Sequence, residues 1–377
     1  MIQVYNKSTC CGCSACIQIC PKKCISFEED CEGFRYPQVD TDTCIDCGLC
    51  EKVCPELVPL SSQQPHKVYA AINQDEEIRL ASSSGGIFTH LAEQIIAKGG
   101  VVFGARFNEE WEVVHDYTET LYGLTAFRGS KYLQSKIGAT YQQAEKFLKA
   151  GRDVLFSGTP CQIAGLKLFL RREYPNLLTV DFVCHGVPSP LAWRYYLNEQ
   201  QKGSETTIST IHFRDKATGW KSYSLTLGDN QKGCIYTNRF YKDAYMQAFL
   251  ANLTLRPSCY ACPAKAGRSQ SDITIGDFWG IEKIKPEIDD NKGVSLVMLN
   301  NNKKICDLSG CNLIAMTYKD ASAGNPSILY SSSKSPYRHL FFRRLERSQS
   351  ISSAYRICTS KNFWTRLYRF MYRKFAL

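Results

Sequence analysis

The sequence has no run of about 18 uncharged apolar residues, so no stretch can cross a bilayer as a single helix. Residues 1–7 lack the basic-then-apolar layout of a signal peptide, which predicts a chain that stays in the cytoplasm. Proline and glycine are sparse, 14 and 25 of 377 residues, which excludes collagen and low-complexity polymers. With 44% hydrophobic and 22% charged residues the chain is not a disordered one either. No G-x-G-x-x-G occurs, so the standard dinucleotide-binding fingerprint is absent. At about 150 residues per domain the length allows two or three domains.

Cysteine is present but concentrated: eleven of the 19 fall between Cys10 and Cys54. An odd total, close Cys-x-x-Cys pairs and no export signal argue against disulfides and for thiolates held by metal in a reducing compartment. Lys plus Arg outnumber Asp plus Glu by 46 to 36, a formal net charge of +10. A cubane iron-sulfur cluster with its four thiolates carries about −2 when oxidised, so three would leave about +4. The basic balance therefore gives no reason to expect a nucleic-acid partner.

The concentrated cysteines form a repeat. Cys10-x2-Cys13-x2-Cys16-x3-Cys20-Pro21 recurs 34 residues later as Cys44-x2-Cys47-x2-Cys50-x3-Cys54-Pro55. This is the bacterial ferredoxin run, in which three cysteines on one loop hold three irons of a cubane and the fourth ligates the partner cluster. The spacing predicts one 4Fe-4S cluster on Cys10, Cys13, Cys16 and Cys54, and a second on Cys44, Cys47, Cys50 and Cys20. Gly12 and Gly48 relieve crowding in the loops, and Pro21 and Pro55 redirect the chain after each fourth ligand. Zinc is the competing use of Cys-x-x-Cys pairs, but two four-membered runs each ending in Cys-Pro favour the clusters. Residues 24–27 and 33–39 read as short strands between the runs. Cys11, Cys24 and Cys31 fall outside the ligand register and read as small buried fillers.

A proline-bounded polar linker, residues 59–65, separates this module from the rest. Residues 67–73 read as a strand, and Ser82-Ser83-Ser84-Gly85-Gly86 feeds a helix over 87–96 that Gly99-Gly100 stops. Such a loop at a helix N-terminus suits the pyrophosphate of a dinucleotide such as FAD, while an ordinary serine cap is the equal alternative. Strands over 153–157 and 178–183 each end at a cysteine in a turn, Gly158-Thr159-Pro160-Cys161 and Cys184-His185-Gly186, on the sheet edge where ligands bind. With the later pair Cys259-x2-Cys262 they offer four ligands for a third cubane; a redox thiol pair or buried structural thiols compete. Lys131, His185 and Asp277 are candidate proton donors or substrate-orienting groups, against the plainer structural use of such residues at turns. Residues 361–377 place Trp364, Leu367, Met371 and Phe375 on one helical face and Arg366, Arg369 and Arg373 on another, suited to an anionic membrane surface or to docking on the body.

On these motifs the chain resembles the coenzyme F420 hydrogenase/dehydrogenase beta-subunit family of iron-sulfur flavoproteins, in the branch with an N-terminal two-cluster ferredoxin. The resemblance runs from about Cys10 to about Asn300. It is carried by Ser82 to Gly86, Gly129-Ser130-Lys131-Tyr132-Leu133-Gln134-Ser135, Gly158-Thr159-Pro160-Cys161-Gln162, Cys184-His185-Gly186-Val187-Pro188, Cys259-x2-Cys262, Gly276-Asp277-Phe278-Trp279-Gly280 and Lys292-Gly293-Val294-Ser295. The resemblance implies FAD in the central domain beside a cluster held by Cys161, Cys184, Cys259 and Cys262. It also implies that Ser83, Ser84, Gly85, Gly86, Lys131, Gln134 and Ser135 lie near the flavin. Members related in this way act on a deazaflavin coenzyme, a chlorophyll precursor or unidentified compounds, and similar chains occur among bacterial polysaccharide genes.

The resulting expectation is an α+β N-terminal ferredoxin module (1–60), a mixed α/β flavin-binding core in two parts (61–150 and 151–310), and a helical basic C-terminal tail (311–377). The expected function is an FAD- and iron-sulfur-dependent oxidoreductase acting on a small molecule, with an unidentified electron donor or acceptor protein as partner. The alternatives are a relay subunit that hands electrons to a partner enzyme, and a sensing or structural use of the clusters without flavin.

Overall fold

The computed structural model describes residues 1–202, 206–303, 306–366 and 369–370. Two short strands, β1 (Ile25–Glu29) and β2 (Arg35–Val39), pair antiparallel between the cysteine runs, as the alternation in that segment predicts. The body is built on eight further strands: β3 (Lys67–Asn73), β4 (Val101–Phe107), β5 (Val113–Thr118), β6 (Val154–Gly158), β7 (Leu177–Phe182), β11 (Ile273–Asp277), β12 (Ser295–Leu299) and β13 (Cys311–Met316). They lie in the order β13-β3-β12-β11-β7-β6-β4-β5, with β11, β7, β6 and β4 parallel and the flanking pairs antiparallel. Strands covered on both faces read as unbroken apolar runs, and Val101-Val102-Phe103 and Val154-Leu155-Phe156 are both fully buried.

A separate antiparallel sheet, β8 (Thr210–Asp215), β9 (Ser224–Asp229) and β10 (Gly233–Arg239), packs with the helices Pro190–Gln201, Ala244–Leu250, Arg338–Ser348 and Ile351–Thr359 around a largely aromatic core. Trp193, Tyr196, Phe213, Tyr245 and Phe341 are each at most 1% exposed there. A buried Phe contributes about 1.5–3 kcal/mol, so this is a core in its own right. The segment expected as a basic tail is thereby divided. Its β13 completes an edge of the main sheet, and its two helices bury Leu340, Phe341, Leu345, Ile351 and Ala354 while carrying Arg343, Arg344 and Arg347. Leu367, Met371, Arg373 and Phe375 of the expected amphipathic stretch lie outside the described residues. Among the described residues no helix is long and apolar enough to cross a membrane.

The ferredoxin-like region is locked to the body at several points. Phe34 is fully buried with Trp193 and Tyr196, and Glu32 takes a two-pronged ion pair from Arg338. Gly33 (φ +84°) leaves no room for a side chain, because a Cβ would stand 2.6 Å from that of Leu191. The proline-bounded linker is also docked: Ser62 donates to the Ala266 carbonyl at 2.7 Å, and Gln270 reaches the Ser61 carbonyl at 2.6 Å.

Candidate functional site

Each ferredoxin loop turns through left-handed residues, Gly12 (φ +71°) and Ser14 (φ 66°) in the first and Asp46 (φ 49°) and Gly48 (φ +70°) in the second. The short helices that follow, Ala15–Ile19 and Leu49–Lys52, face each other with the cysteines between them. Cys16 sits in the field of Cys10 and Cys54, and Cys13 in that of Cys16 and Cys54, so the four predicted ligands of the first set converge. Burial first, and then the neighbouring thiolates, push the Cys16 thiol well up. Cys20, Cys44, Cys47 and Cys50 line a second small cavity. Crowded buried sulfurs of this kind need a cationic centre to stay ionised, which is the donor chemistry of iron-sulfur sites.

The three cysteines read as fillers part company here. Cys31 is exposed, which corrects that reading. Cys24 is buried with its sulfur 3.4 Å from that of Cys20, inside the second cavity. Cys11 is buried, and its thiol is perturbed by those of Cys13 and Cys161 beside it. It joins the first ferredoxin loop to the body, where Gly165 lets the helix Pro160–Leu170 come so close that a Cβ would stand 2.9 Å from the Cys13 sulfur.

In the body, β6 and β7 end side by side and deliver Cys161 and Cys184 to one edge of the sheet. Cys161 is the second residue of a helix whose start is fixed by Pro160 and by Gln162, which accepts from the Thr159 N–H at 2.9 Å. Cys259 and Cys262 come from the short 3-10 helix Pro257–Ala261 and its cap. Cys259 feels the charge of Cys184, Cys161 and Cys262, so residues far apart in sequence form one group. Burial pushes the Cys184 and Cys262 thiols up to about 12. The neighbouring Cys11 thiol, and then burial, raise Cys161 well above the usual thiol range. No single-ion site forms among the described residues, whereas cubane ligands surround eight atoms instead of one ion.

Beside this group a cavity of about 660 Å³ opens at the C-terminal ends of β4, β6, β7 and β11, the edge where ligands of parallel sheets bind. Cys184 is in its wall. So are Ser83, Ser84, Gly86, Lys131 and Ser135 from the set that the sequence resemblance implied. Gly85 and Gln134 are not. Gly85 is wedged between strands, its N–H donating to Ser295 Oγ at 2.8 Å, and Gln134 turns away to donate to the Cys11 carbonyl at 3.0 Å. The serines are partly spent on structure: Ser83 Oγ accepts from the Ser130 N–H at 2.7 Å, and Ser84 donates to the Val294 carbonyl at 2.9 Å.

The polar wall is mainly cationic. Lys131 donates to the carbonyls of Arg128 and Gly129 at 3.2 and 3.1 Å, faces no carboxylate among the described residues, and is lowered by desolvation to about 7. Burial lowers His115 to about 4; its Nε2 meets the Ser157 carbonyl at 3.0 Å and its Nδ1 has no protein partner. Asp277 is committed elsewhere than to proton donation. It holds Arg214 in a two-pronged pair at 2.8 and 3.0 Å and takes the Trp220 indole N–H at 2.6 Å. Arg214 lies 4.1 Å from the Tyr223 ring, and its Nε is unpartnered. His185 is bonded to Asn252 at 2.6 Å and is lowered by burial. Sequence reasoning missed Arg214 and His115, since neither strand carries a motif; Arg256, three residues ahead of Cys259, was visible but unweighted.

Residues 151–306 match the family described as the C terminus of the coenzyme F420 hydrogenase/dehydrogenase beta subunit, and residues 9–58 match the 4Fe-4S dicluster domain. Residues 151–306 thus carry the C-terminal region of that beta-subunit family, with a dicluster domain ahead of it. Members of the coenzyme F420 hydrogenase/dehydrogenase family are oxidoreductase subunits, so this chain is an iron-sulfur electron-transfer protein related to them. Among solved structures, a chain of the F420-reducing [NiFe] hydrogenase complex from Methanosarcina barkeri aligns at 16% identity, covering 78% of this chain and 91% of that one, with a TM-score of 0.43. No curated protein matches.

Proposed function

We propose that the protein is an iron-sulfur flavoprotein oxidoreductase that exchanges electrons with a small-molecule substrate or a deazaflavin-type coenzyme. One observation carries this reading: Cys184 belongs both to the sulfur group with Cys161, Cys259 and Cys262 and to the wall of the large cavity. A cluster on that group would lie beside whatever the cavity binds. The residues that would hold FAD are Ser83, Ser84, Gly86, Lys131 and Ser135, and the charge of Lys131 and the N-terminus of the helix Ile87–Ala97 would suit a pyrophosphate. When bound, cubane clusters supply single electrons and a flavin converts between one- and two-electron chemistry. The chain's own residues bind and orient: Arg214, fixed by Asp277, presents a charged and aromatic wall to a substrate, and His115 Nδ1 offers a neutral acceptor.

The test is iron, sulfide and FAD per chain in anaerobically purified protein. About twelve irons and one FAD are expected. About eight irons without flavin would overturn the reading and leave the relay subunit, in which the ferredoxin region serves a partner enzyme.

A further inference from the structure

Arg256 stands between the two cysteine regions. It is 1% exposed, and among the described residues no carboxylate is hydrogen-bonded to it. Its Nε donates to the Cys10 carbonyl at 2.7 Å, Nη1 to Gln134 Oε1 at 2.9 Å, and Nη2 to the Arg35 carbonyl at 2.9 Å and to the Cys10 sulfur at 3.5 Å. The Tyr36 ring lies 4.3 Å from the guanidinium. Glu56 feels this charge without bonding to it. The ferredoxin loop is pressed against the group, since a Cβ on Gly12 would stand 3.0 Å from Nη1. A guanidinium taken out of water needs a negative partner, and the one within hydrogen-bond reach is the Cys10 sulfur.

We propose that Arg256, supplied by the C-terminal body, is the counter-ion of the ferredoxin cluster on Cys10, Cys13, Cys16 and Cys54, and sets that cluster's reduction potential from outside its own module. The proposal rests on the ferredoxin ligand set and on neither the flavin nor a core cluster. One-electron reduction takes such a cluster with its thiolates from about −2 to about −3, with no bond broken and no proton moved. A fixed positive charge favours the more negative state, and hydrogen bonds to sulfur act in the same direction. The cluster that Cys11 and Gly165 bring against the body would thereby hold an electron at the seam.

Arg256→Met, Arg256→Gln and Arg256→Lys in the full chain test this, by anaerobic titration with dithionite followed by electron paramagnetic resonance, with iron counted on each sample. The neutral variants are expected to make one ferredoxin couple harder to reduce by about tenfold or more, about 59 mV for each tenfold, and Lys to restore most of it. Asp46→Asn, beside Cys44, marks the other ferredoxin couple, and Cys259→Ser marks any couple on the core cysteines. A couple that does not move in a fully loaded neutral variant overturns the proposal, as does a shift confined to either marked couple. Loss of one cluster in both neutral variants but not in Lys supports it. Loss in all three assigns Arg256 to packing alone and overturns it.

Discussion

The ferredoxin region and the body hold sulfur in opposite ways. Between Cys10 and Cys54 the ligands sit on two loops, and neighbours in space are neighbours in sequence or in the repeat. In the body, Cys161, Cys184, Cys259 and Cys262 are gathered by the ends of two strands and one short helix, and the parallel sheet sets their separation. A local ligand set depends on its loop, whereas a distributed one depends on the fold. The two should therefore fail differently when ligands are removed.

The largest effect tests that contrast directly. If the core cysteines hold the proposed third cluster, Cys259→Ser removes about four irons per chain and leaves the ferredoxin signals and the secondary structure in place, because the sheet is packed without the sulfur. Cys50→Ser is expected to strip its own cluster and loosen the small region around Ile2, Cys24 and Ile25, where sulfur makes up much of the core. Iron analysis with circular dichroism separates the cases. Full iron in Cys259→Ser would end the distributed site.

Asp277→Ala asks what the body needs apart from sulfur. The Arg214 side chain is 3% exposed and that of Asp277 15%, so removing the acid strands a buried cation. The expected loss is about 3–5 kcal/mol of stability in a denaturant titration, and the comparable pair at the ferredoxin region, Arg338–Glu32, is left intact. A loss below about 1 kcal/mol would show that the pair behaves as a surface one.

Gly165→Val probes the seam between the regions. Its Cβ would stand 2.9 Å from both Cys13 Cβ and the Cys13 sulfur, so the helix Pro160–Leu170 or the loop must retreat. Overpacking of this kind costs about 1–3 kcal/mol. A shift in the ferredoxin signals without iron loss would show that the regions communicate through contact; unchanged signals would separate them.

What was legible follows the same division. The ferredoxin ligands could be read from spacing because a loop of fixed length forces the sulfurs together. Strand β3 at Lys67–Asn73 and the cysteine at the exit of β6 were readable from apolar runs that end at turns. The family resemblance implied Gln134 together with Ser135, yet the two face opposite sides of the wall, one toward Cys11 and the other toward the cavity. The β8–β10 meander went unread, and the helices Arg338–Ser348 and Ile351–Thr359 were read only as part of a helical tail, without the core they enter. Their aromatic core is assembled from pieces well separated in sequence, and no local pattern announces that Phe341 and Trp193 share it.

The smallest effect is the one that distinguishes a ligand-binding wall from a structural one. Desolvation lowers Lys131 to about 7, against an unfolded value of about 10.4. Between those values the unfolded chain binds the extra proton, so folding stability should rise with pH across that window, by less than about 1.4 kcal/mol per pH unit because the side chain is only partly buried. Anion binding should run the other way. Lys131 carries its charge below pH 7 and loses it above while the wall's arginines stay charged, so FAD or pyrophosphate should bind up to about tenfold more tightly at pH 6 than at pH 8. Lys131→Met should flatten both slopes, which fluorescence titration and thermal melts would follow over that range. If only the stability slope flattens, Lys131 serves the fold and the anion is held elsewhere along the Ser83–Ser130 side of the cavity. If both flatten, the body differs from the ferredoxin region in a second respect: its cofactor contact is reversible with pH, while the clusters are held by ligands that do not titrate once iron is bound.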